Sequence, residues 1–431
     1  VSSEQSQITP TRLISIAPFR TPINLRSERL ADAELEQVRA ELAAMLPNDG
    51  FTVQAPDWPF GYGSLNHDAI PGFFQPIAFV VPTDDLLQSV SQVSNGARLL
   101  DFQVHLYDDT IAILFAQWEV SAMPSTALDR DLSALTNNLV SRVVDEVMQP
   151  LAGKLAKSTP LSWRWRSIAE FVVYRDIARQ QLLNRDALWV ARIALVNSNS
   201  EDYANWMAWA DAQEDRIVQN KQFSLYVGSG NSLLIDCDSE HEQRNLVRAM
   251  SLCQFYSVIL SLYLQQLNED LSQLENYVAR RGISRAKNRL LRQVENKLDH
   301  LDYVRLQHGQ ALYGVQGSRR TMVSSIHEAW NTTGQFDNVM GWAGLLRERI
   351  SRRFQERRMK QGKLVQALLA FIGGLAILDI SLAMLSESEG LREDHLPGML
   401  DLFYRLPADG VLYAAVAVVV AVVFLIYRSE S

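Results

Sequence analysis

The sequence predicts an α/β body that leads into long coiled-coil-like helices, a stalk helix and two C-terminal transmembrane helices. Three observations carry that expectation. Short alternating apolar runs interleave with helical periodicity through the first 240 residues. Leucines then recur at steps of four and three from residue 260. Finally, two long apolar runs occupy much of the last seventy residues of this 431-residue chain.

The first run, TRLISIAPF (11–19), reads as a strand, and SERLADAELEQVRAELAAML (27–46) as an amphipathic helix with apolar residues three and four apart. The segment 55–76 is dense in Pro, Gly and aromatics and is expected to be a long structured loop. DFQVHLYDDTIAILFAQWEV (101–120) places two alternating runs around Asp108-Asp109, a β-hairpin, with a helix expected over about 128–156. ALWVARIALVN (187–197) reads as a strand, 200–217 as a helix, and QFSLYVGSGNSLLIDC (222–237) as a second hairpin around Gly228-Ser229-Gly230. Two related α/β modules are expected, 1–158 and 159–240. The GSGNS loop could cradle a phosphate only if a helix N-terminus followed it; the apolar run LLI that follows favours a hairpin turn.

In the region 241–362, Leu260, Leu264, Leu267, Leu271, Leu274 and Val278 form a coiled-coil seam. A second helix repeats it through Leu291, Val294, Leu298, Leu301, Arg305, His308, Leu312 and Val315, with Arg305 and His308 spoiling the pattern. A third helix is expected to start between Arg320 and Phe336 and to enter the first span as a stalk. From about 336 to 385 it measures roughly 75 Å at 1.5 Å per residue.

The run LVQALLAFIGGLAILDISLAML (364–385) and the run VLYAAVAVVVAVVFLIY (411–427) are long enough, or nearly so, for a bilayer crossing that takes about 20 helical residues. A buried helix pair in a soluble protein has the same composition, but the flanks favour spans. Eight Lys/Arg against two Glu precede the first run over 347–363, and six acids against two Arg separate the runs over 386–410. Positive charge stays on the cytoplasmic side. The expectation is therefore a multi-pass inner or plasma membrane protein with a first span at 363–385, an external acidic loop at 386–410, a second span at 411–427, and both termini and the body cytoplasmic. The N-terminus has no basic region followed by an apolar one, so no signal peptide is expected.

Several functions are disfavoured. A net charge of −8 argues against binding a nucleic-acid polymer. Two cysteines, Cys237 and Cys253, give neither a disulfide framework nor a zinc pattern and suit a reducing compartment. The seven histidines are scattered and no hydrolase motif occurs, so the chain is not expected to be an enzyme, nor to hold a resident cofactor or metal. His241-Glu242 at a helix start is read as capping chemistry after Asp238 and Ser239.

The order of elements, namely an α/β domain, long antiparallel helices, a very long helix becoming the first span, an acidic loop and a short second span, resembles the CorA family of divalent-cation channels over about residues 185–431. That resemblance implies a homo-oligomer, a pentamer in the family, with the first span lining a pore and Mg²⁺ as a possible cation. The family carries Gly-Met-Asn directly after the pore helix; here Ser386-Glu387-Ser388-Glu389 stands in that place, and the nearest echo is Gly398-Met399-Leu400. CorA-like proteins without the motif occur beside nucleotide-signalling antiviral systems, including type III CRISPR. The resemblance thus also allows a signal-gated membrane effector activated by a small nucleotide.

Candidate site residues follow. A carboxylate at the centre of a membrane helix costs about 2.5–3.5 kcal/mol on insertion scales; Asp379, about three-quarters of the way through its run, costs less but still stands out. On a helical wheel it shares a face with Gln361, Val365, Leu368, Ile372, Leu375 and Ser386: polar at its ends and apolar between, as in a pore with a hydrophobic constriction. The alternative is a hydrogen bond from Asp379 to a neighbouring helix. Glu387, Glu389, Glu393 and Asp394 either ring a cation mouth or form an ordinary solvated turn. Trp163, Arg164, Trp165 and Arg166 could stack a base and pair a phosphate, or form an amphipathic edge.

Overall fold

The computed structural model describes residues 10–25, 32–46, 50–55, 78–91, 93–94, 96–107, 109–157, 172–174, 186–279, 285–315 and 317–390, with 410, 413, 416 and 417. The chain divides into two compact units, Val1–Ala343 and Gly344–Ser431.

The first unit opens with β1 (Thr11–Arg20), β2 (Ile23–Leu25), α1 (Asp32–Met45), β3 (Phe51–Gln54), β4 (Ala78–Pro82), α2 (Asp84–Val90), β5 (Val93–Ser94), β6 (Ala97–Leu106) and β7 (Ile111–Val120). It continues with α3 (Thr126–Val143), α4 (Gln149–Lys157), β8 (Val172–Tyr174), β9 (Ala191–Val196), α5 (Tyr203–Trp209), β10 (Val218–Gln219), β11 (Ser224–Val227) and β12 (Asn231–Ile235). Three helices follow: α6 (Glu240–Ala279), α7 (Arg285–Gly314) and α8 (Ser318–Ala329). A fourth, α9 (Thr332–Gly390), begins in this unit and reaches into the second.

The strands form one mixed sheet in the order β10-β11-β12-β9-β1-β7-β6-β4-β3, with β5 on β6 and a separate β2-β8 pair. The two α/β segments divided at 158/159 share this sheet: β9 pairs antiparallel with β1, and β12 pairs parallel with β9. The long strand β1 is buried on both faces, as its near-continuous apolar sequence requires. Leu13, Ala17 and Phe19 join a core with Leu132, Val140 and Val147. The opposite face meets α6, where the rings of Tyr107 and Phe255 lie 5.2 Å apart and Gln254 Nε2 donates to the Ile16 carbonyl at 3.2 Å. Buried Ser15 accepts from Trp118 Nε1 at 3.0 Å, which satisfies a polar atom in the sheet interior.

Both expected hairpins form, β6 with β7 and β11 with β12. The helix expected over 128–156 is interrupted by a π turn at Val144–Met148. Pro150 has no N–H to give a continuous α-helix, and the wider turn accommodates it. The helix expected over 200–217 ends at Trp209. Asp211 takes a left-handed φ of 51°, and Tyr226 Oη donates to its carbonyl at 2.8 Å, fixing the chain reversal. The segment 56–77 and residue Asp108 lie outside the described residues.

The helical seam buries Leu260, Leu267 and Leu274 of α6 and Leu291, Val294, Leu298 and Leu301 of α7 as expected, and departs from expectation elsewhere. In α6, Tyr263 and Asp270 are buried, whereas Leu264 and Leu271 are half-buried. Asp270 tolerates that place because Lys297 Nζ of α7 meets its carboxylate at 2.7 Å. In α7, Arg305 lies outside the seam and is exposed, while Val304 and Gln307 are buried. His308 stays in the seam, its ring 5.1 Å from His327 of α8 and 4.3 Å from Phe336 of α9. Among the described residues, one helical stretch is long and apolar enough to cross a membrane, Glu240–Leu274, and its apolar window is 89% buried inside the fold. It packs on β1, β7, α7 and α8, so protein covers it.

The second unit contains the rest of α9, a single helix of 59 residues with its start at Thr332, within the expected interval. The expected first span at 363–385 lies inside this helix. For the second span at 411–427, residues 413, 416 and 417 are helical, and the remainder lies outside the described residues.

Candidate functional site

At about 100° per residue, positions 368, 372 and 379 of α9 fall within roughly 40° of one another. Leu368 is 54% exposed, Ile372 is 53% exposed, and Asp379 is also exposed. Val365, Leu369 and Ile380 are likewise open. Burying a large aliphatic side chain is worth roughly 1.5–3 kcal/mol. Five of them, each a little over half exposed, therefore forgo on the order of 5 kcal/mol, comparable with the stability of a marginal domain. An exposed apolar surface of this kind is a candidate interaction surface. The helical backbone includes Leu375, Ser386, Glu387 and Glu389, but their side chains lie outside the described residues, as do Glu393 and Asp394 altogether. The structure thus brings Leu368, Ile372 and Asp379 to one face.

The segment holding Trp163, Arg164, Trp165 and Arg166 lies outside the described residues. The GSGNS loop joins β11 to β12 and is a hairpin turn. A Cβ on Gly228 would stand 2.3 Å from the Asn231 carbonyl oxygen, so the turn requires glycine there. The polar residue that follows serves the fold. Asn231 and Asp129 both hold Arg192, whose Nη1 is 2.7 Å from Asp129 Oδ1 and 3.2 Å from Asn231 Oδ1. Ser133 Oγ accepts from Nη2 at 2.5 Å. Burial lowers the pKa of Arg192, against the pull of Asp129.

At the start of α6, Ser239 Oγ accepts from the Glu242 backbone N–H at 3.4 Å, the cap expected on the sequence. Glu242 is buried and accepts from Ser318 Oγ at 3.1 Å. Arg248 lies nearby in sequence, its pKa lowered to about 10 by burial first and then by the guanidiniums of Arg319 and Arg244. Cys237 and Cys253 are both free thiols. Among the described residues, no group of three or more His, Cys, Asp or Glu is placed to hold a metal ion.

Two clusters have no counterpart in the sequence reading. His308 and His327 stack in the helical core, and Trp189 and Trp330 meet edge to face at 4.4 Å. Their members stand 19 and 141 positions apart, so no local spacing signals either pair; each exists through the packing of α6, α7 and α8 on the sheet. Comparison of the chain with protein-family models, with curated proteins and with solved structures finds no match.

Proposed function

We propose that the chain is a membrane channel or transporter of CorA-like build that passes cations as a homo-oligomer, a pentamer by the resemblance, is gated by its cytoplasmic domain and acts without catalysis. The observation that carries this reading is α9. One unbroken helix runs from the edge of the α/β unit through a basic stretch and into an apolar segment, with Leu368, Ile372 and Asp379 open on one face. A two-span chain cannot enclose an aqueous path, so the pore walls come from several copies. In that assembly Asp379 supplies a ring of carboxylates, and rings of carboxylates select for cations. The basic residues at 347–363 then lie on the cytoplasmic side with the body, and the acids Glu387, Glu389, Glu393 and Asp394 on the external side.

A second reading, a nucleotide-gated membrane effector of antiviral defence, is favoured by Ser386-Glu387-Ser388-Glu389 where the CorA family has Gly-Met-Asn. The two differ in trigger and outcome: the effector answers a small nucleotide and disrupts the membrane, whereas the channel passes cations selectively.

Uptake of Mg²⁺ or Co²⁺ into dye-loaded proteoliposomes tests the proposal. The expected result is uptake by the wild-type chain and an altered cation preference or at least several-fold slower uptake by Asp379→Asn, with oligomer size unchanged. Equal uptake by both chains removes the pore role of Asp379.

A further inference from the structure

A cavity of about 560 Å³ opens in the first unit where the lead into β9, helix α6, the β11–β12 turn and the α8–α9 junction meet. That volume lies within the range of small-molecule sites. Trp189 and Trp330 form its aromatic wall, the two rings inclined at 64°. Val258 and Leu262 of α6 supply aliphatic surface. Among the described residues that line it, none carries a charge.

Most polar groups around the cavity are already engaged. Trp330 Nε1 donates to the Gly228 carbonyl at 2.9 Å, Gln335 Nε2 to the Trp330 carbonyl at 3.1 Å, and Ser261 Oγ to the Ser257 carbonyl at 2.9 Å. Two buried atoms have no hydrogen-bond partner among the described residues, Ser257 Oγ and Gln335 Oε1. The amide orientation of Gln335 is fixed because its nitrogen faces a carbonyl, so the remaining atom is an acceptor. An unpaired buried acceptor is destabilising, and a donor on a ligand relieves that cost.

We infer that this cavity binds an uncharged, flat heteroaromatic molecule carrying an N–H donor. The ring packs against the indoles of Trp189 and Trp330, and the Gln335 and Ser257 side chains turn toward it, so that Gln335 Oε1 accepts the N–H and the Ser257 hydroxyl pairs with a second polar atom of the ring. Phosphate- or carboxylate-bearing ligands are disfavoured, since no guanidinium or ammonium lines the wall to offset desolvation of their charge. The position has a regulatory consequence. Ala329 and Trp330 end α8, Asn331 turns the chain at a φ of 49°, and Gln335 lies in the first turn of α9, so an occupant touches both sides of that junction. Binding itself does not depend on the proposed channel activity.

Titration calorimetry of the detergent-solubilised full chain with adenine and with indole tests the inference. Two further probes are 1-methylindole, which lacks the N–H, and benzoate, which is anionic. Expected is saturable binding of adenine or indole at one site per chain, with binding of 1-methylindole and benzoate about tenfold weaker or more, the equivalent of one hydrogen bond. Gln335→Met is expected to cost about the same factor. Ser261→Trp, on the exposed side of α6, plugs the mouth and abolishes saturable binding while its melting profile stays that of the wild type; it also decides the matter if Gln335→Met does not fold. No saturable heat from adenine or indole, or binding undiminished in Ser261→Trp, overturns the inference.

Discussion

An Asp129→Ala variant is expected to lose about 3 kcal/mol of folding stability, read from urea or thermal unfolding of the first unit's signal. The reason is the partner left behind. Arg192 has 4% of its side chain exposed and is held by Asp129, Asn231 and Ser133. Removing the carboxylate leaves a buried guanidinium with neutral acceptors only, which for a buried pair costs about 3–5 kcal/mol. The lower end applies because Asp129 itself keeps 36% of its side-chain exposure. Arg192→Met together with Asp129→Ala removes both charges and is expected to be milder than the sum of the single changes. The tie joins β9, β12 and α3, so its loss loosens the sheet where the two α/β segments meet.

The second large effect is loss of stability in acid. Burial first, and the neighbouring His327 second, push the pKa of His308 down to about 3. Burial lowers His327 as well. A histidine whose folded pKa lies below its unfolded value favours the folded state fully above the unfolded value of about 6.5. As pH falls from there, the unfolded chain takes up a proton that the folded chain refuses, and stability declines until the folded pKa is reached. From pH 7.5 to pH 5 the His308 contribution alone amounts to about 2 kcal/mol, and His327 acts in the same direction. Thermal unfolding across this range is expected to show the decline in the wild type and a shallower decline in His308→Leu. An identical slope in the two chains contradicts the assignment.

The order of the α/β elements was legible because its signals are local. Alternation marks β6 and β7, the turn Gly228-Ser229-Gly230 marks β11 and β12, and helical periodicity marks α6 and α7. What joins one segment to another was not. Nothing local says that β9 pairs with β1 rather than beginning a second sheet, because that pairing is made across about 180 residues. The seam on Tyr263 and Asp270 was obscured for a similar reason. A carboxylate is an acceptable seam residue only beside Lys297, which reaches it from another helix. In the candidate pore, Asp379 was singled out by composition alone, and the structure adds that Leu368 and Ile372 are open on its face. The Trp189–Trp330 cavity draws its walls from four separate elements, which no spacing rule brings together.

Single-channel recording of the purified chain in a planar bilayer under a KCl gradient tests the central proposal most directly. A cation-conducting oligomer gives discrete currents whose reversal potential lies toward the potassium equilibrium value, and Asp379→Asn moves that reversal potential toward zero. Absence of any current with and without added ligand, or a reversal potential toward the chloride value, contradicts the account.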